Sequence, residues 1–149
     1  MPDTENFGLE FCQAVMRGDR RISFHDLLGI VFTDVAVGRV EAECYLDKER
    51  HGNDSPDRAH GGLILAFADA VGGFTFVTTM DRKGYPVMST ISHNFIGGAH
   101  FDRTEPLRAT GQILNHTKST GLIQVNVTQG SHLIGHTIGR AVIIKPENG

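Results

Sequence analysis

The chain has 149 residues, enough for one substantial core, which excludes two independently packed domains. Lys and Arg number 14 against 17 Asp and Glu, a formal net charge of -3, and these charges are scattered along the chain. No basic face is available, which excludes nucleic acid as a partner. The N-terminus, MPDTENFGLEF, carries acids where a secretory signal needs a basic flank and an apolar run, so the chain is expected to be cytoplasmic. Cys12 and Cys44, each inside an apolar pattern, predict buried thiols in a reducing compartment and no disulfide framework.

Phe7, Phe11, Val15 and Leu9, Cys12, Met16 recur at helical spacing, and Gly18-Asp19 ends that helix. Residues 1–21 are thus a helical extension of a single domain spanning 1–149. From Ile30 the pattern changes period: Val31, Thr33, Val35 and Val37 alternate, as do Val40, Ala42, Cys44 and Leu46 beyond a turn at Gly38, which predicts a hairpin. Residues 47–60 are rich in Asp, Asn, Ser, Gly and Pro and predict a polar loop.

Residues 61–80 are almost free of charge and long enough to span a bilayer. They hold four glycines, and Asp69 at their middle would cost about 2.5–3.5 kcal/mol on insertion scales. A helix buried inside a sheet is expected there, and no membrane partner. Four strands follow near 87–96, 106–116, 120–129 and 132–144, the last three as a meander. The predicted fold class is α+β: one antiparallel sheet folded around a long apolar helix, which must be covered on nearly every side. The 18 glycines exceed the ordinary share of about 7 per cent and are expected at turns and close backbone contacts.

His60-Gly61-Gly62 opens the long helix, so the amides of Gly61 and Gly62 fall among the unpaired donors of its first turn. Two successive glycines let a carbonyl approach the main chain, and the helix dipole favours negative charge growing on its oxygen. These are the parts of an oxyanion hole. The same glycines also permit a sharp turn into the helix. Asp69 stands as a general base or a nucleophile, or as a structural acid bonded to a neighbouring hydroxyl. Burial would raise its pKa; a donor or the dipole would lower it.

His60 and Asp69 are nine residues apart, about 13.5 Å of helical rise. One chain therefore cannot bring both ends to one carbonyl, and a two-fold dimer with antiparallel helices would supply two shared sites. Gly72-Gly73 would help such an approach, or pack against the sheet.

His60-Gly61-Gly62 with Asp69 seven residues on, an Asn/Asp/Gly loop before it and a strand ending Asn94-Phe95-Ile96-Gly97 after it, resembles the hotdog-fold acyl-CoA thioesterases of the phenylacetic-acid-degradation (PaaI-like) type. The likeness spans roughly residues 28–144 and includes Leu28-Gly29-Ile30 at the first strand. It implies the hotdog fold, a homodimer that pairs into a homotetramer, and hydrolysis of acyl-CoA with neither metal nor cofactor. By this resemblance the Gly62 amide polarises the thioester carbonyl, with Gly61 beside it. Asp69 of the partner acts as base or nucleophile, and His60 fixes the loop or touches the carbonyl. Relatives often carry Asn six residues before the His; here Asp54 stands there and Asn53 one place earlier, so either takes the loop role. A Ser or Thr near the acid corresponds to Ser89, although the count fits Met88 equally. His93 faces the acyl channel, the surface or an interface.

Other features have plainer readings. His132 and His136, at strand spacing, stand about 13 Å apart, too far to share an ion. Arg103, Arg108, Lys118 and Arg140 are ordinary exposed charges or contacts for CoA phosphates. Two further functions compete with hydrolysis. A non-catalytic acyl-CoA-binding module is opposed by Asp69, which a mere binder does not need. Acyl-CoA hydration in relatives uses an Asp and a His five apart, whereas Asp54 and His60 are six apart.

Overall fold

The computed structural model describes residues 7–144. Its elements in chain order are α1 (Phe7–Arg17), α2 (Ser23–Leu28), β1 (Ile30–Ala36), β2 (Arg39–Cys44), α3 (Lys48–His51), α4 (Gly61–Val77), β3 (Tyr85–Phe95), β4 (Leu107–His116), β5 (Thr120–Gln129) and β6 (His132–Ile144). The six strands form one antiparallel sheet in the order β1-β2-β4-β5-β6-β3. Helix α4 crosses its inner face and touches β2 to β6. The α+β class and the helix wrapped in a sheet follow the sequence expectation.

Apolar burial holds α4 in place. Phe67, Ala68 and Val71 are fully enclosed, and each large side chain so buried contributes about 1.5–3 kcal/mol. Strand β4 comes closest at Gly111, where an added Cβ would collide with the Thr75 hydroxyl, itself donating to the Val71 carbonyl at 2.7 Å. The far end of α4 is tied to the first hairpin: the Gly38 N–H donates to Thr78 Oγ1 at 2.9 Å. Helix α1 docks there too, through the Gly8 N–H and the Met80 carbonyl at 2.9 Å.

Three local features depart from simple periodicity. In β1 a bulge between Phe32 and Asp34 shifts the register, so Ile30, Phe32 and Val35 are buried while Val31 and Val37 are exposed. The alternation Val31-Thr33-Val35-Val37 is therefore not one face; one extra residue inverts the pleat. Residues 23–28 form a helix that the sequence reading passed over, ended by Gly29 in the left-handed region at φ 76°. Part of the polar loop is helical: Asp47 caps α3 through Oδ1, which accepts from the Glu49 and Arg50 amides.

His51, at the end of α3, is 2 % exposed, and its ring staples the loop. Nδ1 accepts from the Asp47 N–H at 3.0 Å, and Nε2 donates to the Leu28 carbonyl at 2.9 Å. Both cysteines are free and buried; desolvation pushes the Cys12 thiol up to about 12 and the Cys44 thiol to about 11, so neither is a nucleophile. Among the described residues no helix is long and apolar enough to cross a membrane.

Candidate active site

Three short ties set the head of α4. The loop before it is pinched by a bridge between Gly52 and Ala59, the Ala59 N–H donates to the Ala99 carbonyl at 2.9 Å, and the His60 N–H donates to the His51 carbonyl at 2.7 Å. His60 then takes the N-cap position. Its Nδ1 accepts the Gly62 N–H at 2.8 Å. The expected oxyanion donor is thus held by a side chain of its own chain. Both residues are exposed, and an added Cβ on Gly62 would meet only the His60 ring, at 2.9 and 3.2 Å. A ligand oxygen reaches this amide by displacing one surface imidazole.

Asn53 and Asp54 lie exposed at the loop tip. The Asn53 Oδ1 accepts from the Ser55 N–H at 2.7 Å, so its side chain closes a turn within the loop.

Asp69 follows Gly62 on one unbroken helix. Seven residues give about 10.5 Å of rise and nearly two full turns, so the two share a face. That face is the least covered on α4: Gly62 and Asp69 are exposed and Gly73 half-buried, whereas Leu63, Phe67 and Val71 are sealed. The burial expected of the carboxylate is therefore partial. Its pKa is nonetheless raised above 3.8 by desolvation. Among the described residues no hydroxyl or cation bonds it, which leaves the structural-acid reading without a partner. The glycine pair divides its roles. A Cβ at Gly72 would meet Val125 at 3.3 Å on the sheet side, while one at Gly73 would meet nothing within 4 Å.

Asp69 lines a mostly apolar cavity of about 560 Å³. Asp69, Gly73, Phe74 and Val77 form one wall, with Phe11 of α1 and Met88 of β3 opposite. Ser89 is not part of that wall. It sits in a bulge between Met88 and Thr90, and its hydroxyl donates to the Arg140 carbonyl at 3.1 Å. The structure thus brings Met88, and not Ser89, to the acid of its own chain.

His93 is drawn toward the head of α4. Its ring meets Phe95 edge to face at 4.4 Å, and the Phe95 ring lies 3.2 Å from where a Gly61 Cβ would stand. Nδ1 of His93 pairs with Thr137 Oγ1, while Nε2 is buried without a partner. Desolvation, helped by His136, lowers its pKa from 6.5. Among the described residues no group of three or more His, Cys, Asp or Glu is placed to hold a metal.

The sequence reading missed His25, a second titratable group in the Asp69 cavity. The signal was Leu27-Leu28-Gly29, a helix stop that implies a helix before it and an inward face for that helix.

The thioesterase superfamily model matches residues 57–135, just over half of the chain, including the head of α4, Asp69 and His93. No curated protein sequence matches. Among solved structures, the E. coli PaaI protein from the phenylacetic acid degradation operon superposes with a TM-score of 0.75 at 16% identity, covering 95% of this chain and 96% of that one. A thioesterase from Haemophilus influenzae gives 0.78 at 17% identity, covering 100% of both chains. A putative thioesterase, a phenylacetic acid degradation-related protein from Ralstonia eutropha JMP134, gives 0.78 at 15% identity, covering 90% of this chain and 99% of that one. With the sheet wrapped around α4 and the family match running from just before its head through β5, the chain belongs to the thioesterase superfamily and is a thioester hydrolase of the hotdog fold.

Proposed function

We propose that the protein hydrolyses acyl-CoA thioesters at sites shared by two subunits, each joining Gly62 of one chain to Asp69 of the other. The observation that carries this reading is the uncovered stripe of α4, with its backbone donor and its desolvated carboxylate two turns apart on one face. A second helix laid antiparallel along that stripe brings each Asp69 beside the other chain's Gly62. Gly73, with open space where its Cβ would be, favours a close approach.

The sheet supplies a second support. Strand β3 is an edge of 11 residues with Tyr85, Ile91 and Phe95 exposed, an unpaired ladder of a kind that proteins ordinarily cover. Pairing β3 with its two-fold copy extends the sheet across the dimer and sets the two α4 helices side by side. Two such dimers make the tetramer. The buried free thiols of Cys12 and Cys44 fit a reducing cytoplasm.

In the reaction the thioester oxygen takes the Gly62 N–H from His60, and the helix dipole favours the charge that develops there. Asp69, as carboxylate, removes a proton from the water that attacks the carbonyl carbon; the tetrahedral adduct collapses, the C–S bond breaks and CoA leaves as thiolate. Alternatively Asp69 attacks directly, and water then opens the mixed anhydride. Multiple turnovers in ¹⁸O-water place label in the Asp69 carboxylate only by the second route.

Free-thiol release over a panel of acyl-CoAs tests the activity, with mass in solution measured alongside. Turnover by a dimer or tetramer supports the proposal, and an inert or monomeric protein opposes it.

A further inference from the structure

Gln129 ends β5 and is fully buried, yet every donor and acceptor of its amide is used. Oε1 accepts from the His100 N–H at 2.9 Å and from Arg103 Nη1 at 3.3 Å, while Nε2 donates to the His100 carbonyl at 2.8 Å and to the Glu105 carbonyl at 3.2 Å. Arg103 donates in addition to the Gly98 carbonyl at 3.2 Å. One side chain of the sheet thus satisfies backbone groups of the segment that joins β3 to β4, where no strand partner does so.

His100 is the middle residue of a short ribbon. On one side of it the Ala99 carbonyl accepts from the Ala59 N–H at 2.9 Å, and on the other the Phe101 N–H donates to the Asp57 carbonyl at 3.0 Å. A bridge pairs His100 itself with Arg58. Backbone groups of successive extended residues point to opposite sides, so His100 turns its N–H and carbonyl to Gln129 while its two neighbours hold residues 57–59. Ala59 leads directly into His60, the N-cap of α4. Any shift of the segment gripped by Gln129 is therefore carried, through two hydrogen bonds, to the residue before the cap and on to the Gly62 N–H.

On the hydrolase reading given above, in which Gly62 donates to the thioester oxygen, we propose that Gln129 is a positioning residue that fixes this donor through His100 and the 57–59 neck. It acts without touching the substrate. A catalytic group must be held to within about 0.5 Å of its working place, and a displacement of about 1 Å costs up to about 10² in rate. Gln129 does not line the Asp69 cavity, so loss of its amide leaves the cavity wall and the carboxylate as they are.

The test is Gln129→Met on the full chain, which keeps the bulk of the side chain and removes all four bonds, made alone and together with Gly62→Ala. Alone, it is expected to lower kcat by about 10–100-fold while KM for acyl-CoA changes by less than about threefold. In the Gly62→Ala background, where the donor is already obstructed, most of that loss disappears. A merely structural role lowers kcat by the same factor in both backgrounds; that result, or a single-variant kcat within about twofold of wild type, overturns the inference. Amide exchange followed by NMR reads the tie itself: the Ala59 and Phe101 N–H groups should exchange about tenfold faster in Gln129→Met, with the β1–β2 hairpin unchanged, and unaltered exchange at Ala59 also overturns it. Should Gln129→Met fail to fold by circular dichroism, Arg103→Met, which removes one bond to the same amide, decides in its place. Its kcat loss of about threefold must likewise disappear on Gly62→Ala, and an equal loss in both backgrounds overturns the inference. An inert wild type defeats the hydrolase reading alone, with exchange at Ala59 still deciding the tie; an active wild type with equal losses in the two backgrounds defeats this inference alone.

Discussion

Gly62 and Asp69 stand on one face of α4, seven residues and about 10.5 Å of helical rise apart, on the only stripe of that helix left largely uncovered. A donor and an acid so spaced cannot meet at one carbon within a chain, yet they meet twice when two such helices run antiparallel. Asp69→Asn keeps the size of the side chain and removes its proton-accepting charge. We expect kcat to fall by about 10²–10⁴ with the oligomer unchanged, checked by thiol release and light scattering. A loss below tenfold would remove Asp69 from the chemistry.

Gly62→Ala probes the other half. Its Cβ meets nothing but the movable His60 ring, and alanine suits the first turn of a helix, so folding should survive with at most the loss of the His60 cap, about 1 kcal/mol. The methyl occupies the approach to the amide. Activity should fall by about 10²–10³ while the urea midpoint moves little.

The pH profile carries the signature of desolvation. On the proposed mechanism Asp69 works as a carboxylate, and burial raises its pKa above 3.8, so activity should be lost as pH falls through that raised value. The acid limb of kcat/KM should therefore lie above 3.8, the ordinary aspartate value.

Stability should fall with acid for a separate reason. His25, His51 and His93 all have pKa values lowered from 6.5, each chiefly by desolvation, so the native state prefers the neutral rings. Their contribution is fully present above 6.5 and is lost as pH drops through the lower folded values. Urea titrations at neutral and mildly acidic pH should show the decline. His51→Leu strands the Asp47 N–H and the Leu28 carbonyl, costing about 3 kcal/mol at neutral pH and flattening part of the acid slope.

Much of the fold was legible because period and turn residues speak locally. The long helix, the hairpin at Gly38 and the late meander stand where Val, Ile and Gly patterns place them. Asp69 and the His60-Gly61-Gly62 start were legible because a carboxylate in an apolar run and paired glycines at a helix head are chemically unusual. What escaped depends on tertiary context. The bulge after Phe32 inverts β1 with no Gly or Pro to announce it, and Ser89 sits in a second bulge that turns its hydroxyl toward Arg140. His25 and His51 resemble surface histidines until α2 and α3 fold inward over β1 and the loop neck. Gly72 and Gly73 look equivalent in sequence, and only the sheet tells them apart.

The central claim is that one carbonyl is served by two chains, and subunit mixing tests it most directly. Asp69→Asn and Gly62→Ala proteins, each nearly inactive, are unfolded together, refolded and the mixed dimers purified by two tags. Each mixed dimer carries one site with both parts intact, so about half the wild-type activity per dimer should return. Verified mixed dimers that stay as inactive as their parents would contradict the shared site.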